Sequence, residues 1–121
     1  GFMTNLSLGT LLIFFIATGL AHFLRPEPFL RITPPWVPWP RRVNLLAGFW
    51  ECGWALALLG PPRVRALAAW ALIALLAAVF PANVHMLTDK DAGFGVKPLW
   101  LWLRLPLQGV LTYWIWILIP R

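Results

Sequence analysis

Six polar side chains in an otherwise apolar chain have the chemical types needed to hold a carbonyl group and to move a proton. They are a carboxylate, a guanidinium, two amides and two imidazoles, at His22, Glu51, Asn83, His85, Arg104 and Gln108. Arginine and glutamine donate hydrogen bonds to a carbonyl or oxyanion, whereas histidine and glutamate can relay protons. Because these residues lie far apart in the sequence, the fold must bring them together before they can act as one site.

The composition is that of a membrane protein. Of the 121 residues, 60% are hydrophobic and 12% are charged, and the mean hydropathy is +0.75. Soluble domains are about half apolar and about a quarter charged. The net charge of +6 comes from basic residues near the ends of predicted helices rather than along one face. The expected partners of this charge are therefore anionic lipid headgroups, not nucleic acid.

Four segments approach the roughly 20 apolar residues that cross the hydrocarbon core of a bilayer as a helix. We predict an all-α, multi-pass integral membrane protein in which a single domain, 1–121, forms a four-helix bundle with spans at about 6–24, 43–60, 66–84 and 98–119.

A proline- and tryptophan-rich loop, "RPEPFLRITPPWVPWPRR", joins the first two predicted spans. Its prolines prevent one continuous helix. "EPFLRI" predicts a short helix lying in the membrane interface, and "TPPWVPWP" predicts an extended segment. Phe29, Trp36 and Trp39 are too apolar to be left in water, so we expect them to form a lid over one end of the bundle.

Antiparallel spans place the six polar residues at that same end. Glu51 and Arg104 fall roughly 12 and 9 Å below one surface at 1.5 Å per residue. Glu51 lies on a stripe of small or polar residues at helical spacing, Asn44, Ala47, Gly48, Glu51 and Ala55. Arg104 lies on a second stripe, Trp100, Arg104, Gln108 and Thr112, at strict four-residue spacing. A charge facing lipid costs about 2.5 to 3.5 kcal/mol. Glu51 and Arg104 are therefore predicted to pair inside the bundle.

The polar end has two interpretations. One is a structural clamp that joins the second and fourth spans. The other is a ligand pocket that opens toward the loop, formed by the six polar residues. Two histidines on different helices could in principle hold a haem, but they supply too few ligands at fixed geometry, so no metal site is predicted. Cys52 is the one cysteine, which disfavours thiol–disulfide chemistry.

Several segments together resemble the DoxX family of small membrane proteins, and the likeness runs over nearly the whole chain. These segments are "GLAHFLRPEPF", "ITPPWVPWP", the "WE" of the second span, "AVFPANVHM" and "LWLRLPLQ". The resemblance implies a four-helix domain in a prokaryotic cytoplasmic membrane. The family's namesake is similar to a subunit of an archaeal thiosulfate:quinone oxidoreductase. A more distant likeness, to four-helix chaperones of animal membrane receptors, implies an assembly role. Neither likeness brings catalytic residues with it.

Two functions of different class follow. In the first, the bundle binds a quinone or another lipophilic carbonyl compound in a redox-linked role. Arg104 and Gln108 then donate to the carbonyl, Glu51 positions Arg104, and His22 or His85 exchanges protons with water. In the second, the chain is an accessory or assembly subunit of a membrane complex or a homo-oligomer, and the polar residues only hold the helices in register. No cofactor motif marks the chain as an enzyme by itself.

Overall fold

The computed structural model describes residues 1–88 and 98–120, which form helices and no strand. The all-α class is therefore confirmed for the described residues. The helices are α1 (Phe2–Leu24), α2 (Pro26–Ile32), α3 (Pro40–Ala57), α4 (Pro62–Thr88) and α5 (Pro98–Ile117). The four long helices correspond to the four predicted spans, and α2 is the short helix predicted within the loop.

Prolines set the helix boundaries that hydropathy placed too far along the chain. Pro40 and Pro62 are each the first residue of a helix, three or four residues before the predicted starts at 43 and 66. Proline suits this position because the N–H that it lacks would be unpaired there anyway. Arg25 separates α1 from α2 with φ −136° and ψ 70°. A residue before proline is disfavoured in the α conformation, so Pro26 ends α1 here.

The segment between α2 and α3 turns rather than extends, which corrects the prediction for "TPPWVPWP". The backbone N–H of Val37 donates to the carbonyl of Pro34 at 3.1 Å, which closes a four-residue turn. Pro35 occupies the second position of that turn, where a fixed φ of about −65° is favoured. Pro34 is buried, so the turn packs against the helices.

Two helical stretches, Phe2–Leu24 and Pro62–His85, are long and apolar enough to cross a membrane by length and composition. In the most apolar part of each stretch, only 28% and 33% of the residues are buried inside the protein. The core of the described residues lies at the end of the helices away from α2, and its largest fully buried side chains are Leu11, Phe15, Leu58, Leu72 and Ile115.

The long helices pack in the order α1, α3, α4, α5, and α2 lies against α1, α3 and α4. The row does not close on itself. Among the described residues, no Cα atom of α1 comes within 8 Å of a Cα atom of α5. The backbones of the first and last helices are therefore separated by a wider gap than those of the packed pairs, although side chains of both helices join one core cluster.

Two glycines allow the close approach of α1 and α3. A Cβ atom added at Gly19 would lie 2.5 Å from Cys52 Sγ, and one added at Gly48 would lie 2.9 Å from both His22 Cβ and Phe23 Cζ. Small residues at a helix interface let two backbones pack tightly in a membrane. This contact presents the inward face of α3 to α1.

Replacing Gly48 with alanine is expected to destabilise the protein by about 1 to 3 kcal/mol, the usual effect of overpacking. Gly53→Ala is the matched control in the same helix, since a Cβ there meets nothing within 4 Å. The control should be neutral or stabilising by up to about 1 kcal/mol, because alanine favours the helix. Thermal unfolding midpoints in detergent measure both, and equal midpoints would contradict the tight α1–α3 contact.

Candidate functional site

A cavity of about 690 Å³ lies among the helices. Its walls come from all five helices and from the turn after α2, and most of the lining side chains are apolar. Cavities that hold small molecules typically measure about 300 to 1,000 Å³ and place a few polar groups on an apolar wall. The ionisable and amide side chains of this wall are His22, Asn44, Glu51, Asn83, Arg104 and Gln108.

The first polar cluster joins α1 to α3. Glu51 is only 5% exposed and His22 only 8%, and Glu51 Oε2 lies 3.3 Å from His22 Nε2. The hydroxyl of Thr18 is in hydrogen-bond contact with the other carboxylate oxygen, Oε1. A buried carboxylate is strongly disfavoured without partners, so Thr18 and His22 keep Glu51 inside the protein.

Asn44 fixes which nitrogen of His22 carries hydrogen. Asn44 Nδ2 donates to the backbone carbonyl of His22 at 2.8 Å, and its Oδ1 therefore faces His22 Nδ1 at 2.6 Å. Because Oδ1 can only accept, Nδ1 must be the donor. His22 Nε2 would otherwise face, with a lone pair, a carboxylate oxygen 3.3 Å away, so the contact needs one further proton shared between Nε2 and Glu51.

The backbone carbonyl of His22 needs the hydrogen bond from Asn44 because of a proline four residues later in the sequence. In a continuing helix this carbonyl would accept from the N–H of residue 26, but that residue is proline and has none. The preceding N–H, that of Arg25, makes its ordinary helical bond to Ala21 at 2.8 Å and is not available to His22. The side-chain amide of Asn44 thus replaces the donor that Pro26 removes.

Helix α2 covers the first cluster. The ring of Phe29 stacks on the imidazole of His22, with ring centroids 3.9 Å apart and planes 22° apart. Trp36 also lines the cavity, although it is 71% exposed. Trp39 is 70% exposed and is not among the lining residues. Of the predicted lid, the structure therefore places Phe29 and Trp36 at the cavity and Trp39 outside it.

The second polar cluster joins α4 to α5. Asn83 Nδ2 donates to Gln108 Oε1, and Gln108 Nε2 donates to the backbone carbonyl of Leu76 at 2.6 Å. Arg104 Nη2 lies 3.5 Å from Asn83 Oδ1, at the long end of the hydrogen-bond range. Arg104 is exposed, while Asn83 is only 9% exposed. The guanidinium therefore lines the accessible part of the cavity.

The predicted pairing of Glu51 with Arg104 is corrected by the structure. The ion-pair partner of Glu51 is His22, and Arg104 contacts Asn83. The reason is the packing order, since among the described residues α3 packs against α1 and α4 and no Cα pair joins it to α5 within 8 Å. Glu51 and Arg104 both line one cavity, as their matched depth indicated, but from different walls.

Five of the six residues proposed from the sequence, all except His85, line the cavity. His85 lies near the end of α4 and is partly buried, outside the lining. Sequence reasoning assigned no site role to Thr18 or Asn44. Their signals were helical spacing, since Thr18 lies one turn before His22 and Asn44 lies on the stripe of Glu51. Within residues 1–88 and 98–120, no group of three His, Cys, Asp or Glu side chains is arranged to hold a metal ion.

A family model described as a domain of unknown function (DUF8561) matches residues 11–119. That range contains every member of both polar clusters. No curated protein and no solved structure matches the chain.

Proposed function

The chain belongs to the DUF8561 family, and from the geometry of its cavity we propose that it binds a quinone or a similar lipid-soluble carbonyl compound within a four-helix membrane bundle. The observation that carries this proposal is the cavity of about 690 Å³, which has an apolar wall and two polar clusters, one between α1 and α3 and one between α4 and α5. Such a wall with a few converging polar groups is the usual form of a small-molecule site.

The membrane setting is supported by the outer surface. Large apolar side chains are exposed along all four long helices, among them Ile13, Leu46, Leu67 and Ile117, which are 51% to 72% exposed. A soluble protein rarely shows such extensive apolar surface, whereas lipid covers it at no cost. The four long helices would then be four spans of a multi-pass membrane protein.

Arg104 is the proposed donor to the ligand carbonyl. An arginine has five N–H donors in a planar fork, and the contact with Asn83 uses one of them. Gln108 and Asn83 hold each other and so position the wall beside the guanidinium. A carbonyl or oxyanion at this place would receive a charge-assisted hydrogen bond, which is stronger than one between neutral groups.

The pair of Glu51 and His22 supplies the proton chemistry in this proposal. The pair lies on the wall formed by α1 and α3, whereas Arg104 lies on the wall formed by α4 and α5, and Thr18 and Asn44 hold the two groups in place. A quinone takes up protons when it is reduced, so a proton donor next to its second carbonyl fits a redox-linked role. The electrons would come from a partner protein, as the likeness to the DoxX family implies.

Replacing Arg104 with lysine tests the proposal. Lysine keeps the charge but loses the planar fork. Since a hydrogen bond to a charged group contributes about 1.5 to 3 kcal/mol, we expect quinone affinity to fall about tenfold or more. Equilibrium binding of a panel of quinones to protein in lipid nanodiscs is the measurement. Arg63→Lys, at an exposed position at the start of α4, is the control and should bind as the wild type does.

One observation favours the second candidate, an accessory or assembly subunit. Among the described residues, every buried side-chain nitrogen or oxygen already has a hydrogen-bond partner. A cluster that only holds helices in register would also be satisfied in this way. This alternative predicts no saturable quinone binding in a folded sample, no effect of Arg104→Lys on binding, and loss of a partner protein from the complex when the clusters are disrupted.

A further inference from the structure

Eight residues of the cavity wall are also exposed at the outer surface, and four of them lie near the middle of α1 and α5. Thr10 and Phe14 on α1, and Leu107 and Val110 on α5, line the cavity and are exposed. Phe14 is 46% exposed, and Leu107 and Val110 are each 63% exposed. These four residues flank the gap in which no α1 and α5 Cα atoms come within 8 Å. They form a lateral mouth, through which the cavity opens between the first and last helices.

The cavity is long, and its wall changes from polar at one end to apolar at the other. It follows α1 for roughly 18 Å from Thr10 to His22, and α5 for roughly 15 Å from Arg104 to Trp114, at 1.5 Å per residue. Its ionisable residues lie at the end covered by α2. Toward the other end its wall is apolar apart from Thr10, and it includes the core residues Leu11 and Phe15.

We propose that the ligand is an amphiphile whose apolar tail lies in the lateral mouth while its carbonyl ring reaches the two polar clusters. This inference rests on the proposed ligand site and adds the class of molecule that fills it. A bare ring would occupy the polar end. It would leave the apolar part of the cavity, which reaches Thr10 on α1 and Trp114 on α5, without contacts. A ring with a long hydrocarbon tail matches the polarity along the whole cavity.

The lateral mouth also gives the route of entry. At the polar end, Phe29 stacks on His22 and the turn after α2 packs over the helices, which covers His22 and leaves Arg104 exposed. The mouth lies near the middle of α1, which in a bilayer is the depth of the hydrocarbon chains. A lipid-dissolved amphiphile can enter there without first passing through water.

Photolabelling locates the tail directly. The probe is a benzoquinone carrying a decyl chain with a diazirine near its end, added to the protein in phosphatidylcholine nanodiscs, and the labelled residues are identified by mass spectrometry. We expect labels to collect at Thr10, Phe14, Leu107 and Val110 and to be displaced by unlabelled decyl quinone. Leu46 and Leu67 are outward-facing references, since both are exposed and do not line the cavity.

Bulky side chains at the lateral mouth provide the matched variants. Val110→Trp should lower labelling of the mouth to the level of the outward-facing references, and Thr10→Trp should do the same from the other helix. Both positions are exposed, so the larger side chain has room and the fold should survive. Unfolding midpoints check this for each variant. Leu46→Trp is the control and should leave labelling of the mouth unchanged.

The outcomes separate this inference from the proposed function. If a phosphatidylcholine carrying the same diazirine labels the mouth as strongly as the quinone does, the inference is overturned. It is also overturned if the quinone labels spread evenly over outward faces, because the tail then lies in bulk lipid. Crosslinking of the mouth to a second copy of the chain overturns it as well. A further outcome is that tailless dimethoxy-methyl-benzoquinone binds in a way that Arg104→Lys weakens, while the tail probe does not label the mouth. In that case the proposed carbonyl site is retained and the proposed tail site is rejected. If neither quinone binds, both fall.

Discussion

Substituting Glu51 with leucine is expected to lower the free energy of unfolding by about 3 to 5 kcal/mol, the usual effect of removing one partner from a buried ion pair. Leucine has a similar volume but leaves the Thr18 hydroxyl and His22 Nε2 without the carboxylate that both contact. Reversible denaturation in mixed micelles measures the change. Glu27→Leu is the matched control, because Glu27 is exposed on α2 and its replacement should have little effect.

Two companion variants identify the partner of Glu51. Glu51→Gln should cost less than about 1 kcal/mol, because its amide can still accept from Thr18 and can donate to Nε2 of a neutral His22. Adding His22→Phe to Glu51→Leu should recover part of the loss, since removing both partners leaves no unpaired buried group. Coupling between Glu51 and His22 should be about 0.5 to 3 kcal/mol, as for residues in contact. A larger coupling between Glu51 and Arg104 would restore the pairing predicted from depth.

The sequence was sufficient for the helices because their signals are local. Apolar segments of membrane length predicted α1, α3, α4 and α5, and Pro26 and Pro40 fixed boundaries that hydropathy alone placed less well. It was also sufficient for depth, since a rise of 1.5 Å per residue and antiparallel connections predicted that Glu51 and Arg104 lie at one end. Both line the same cavity.

Depth does not determine which helices are neighbours, and here the sequence reasoning failed. Any of four antiparallel helices can lie beside any other at a given level. The choice was made by close packing at Gly19 and Gly48, which turns Glu51 toward His22 on α1. A glycine in an apolar helix does not indicate which other helix packs against it. The partner of Glu51 could therefore not be predicted from the helical spacing of residues. The gap between α1 and α5 is a property of the same packing order.

Asn44 had a signal that is recognisable once the backbone is considered. Pro26 comes four residues after His22 and deprives its carbonyl of the usual donor, so some buried side chain must supply one. Asn44 does so at 2.8 Å and is only 6% exposed. A proline four residues beyond a buried helical carbonyl is thus an argument for a buried amide on the neighbouring helix.

Substituting Asn44 with leucine is expected to lower the free energy of unfolding by about 2 to 6 kcal/mol, since it leaves two buried groups unpaired at about 1 to 3 kcal/mol each. The groups are the backbone carbonyl and Nδ1 of His22. Denaturation in mixed micelles measures the loss. Asn5→Leu, at an exposed position of α1, is the control and should cost little. Equal losses would mean that Asn44 does not hold His22.

Nitrogen-15 spectra of His22 give the second readout of Asn44, one that simple loss of packing would not reproduce. In the wild type, Nδ1 should carry hydrogen whatever the protonation of Nε2, because it faces an oxygen that can only accept. Asn44→Asp keeps an acceptor at Nδ1 and adds a negative charge, so it should favour the doubly protonated imidazolium. In a folded Asn44→Leu sample both singly protonated forms should appear. A neutral wild-type ring with hydrogen on Nε2 alone would show that Asn44 does not set the proton shared by His22 and Glu51.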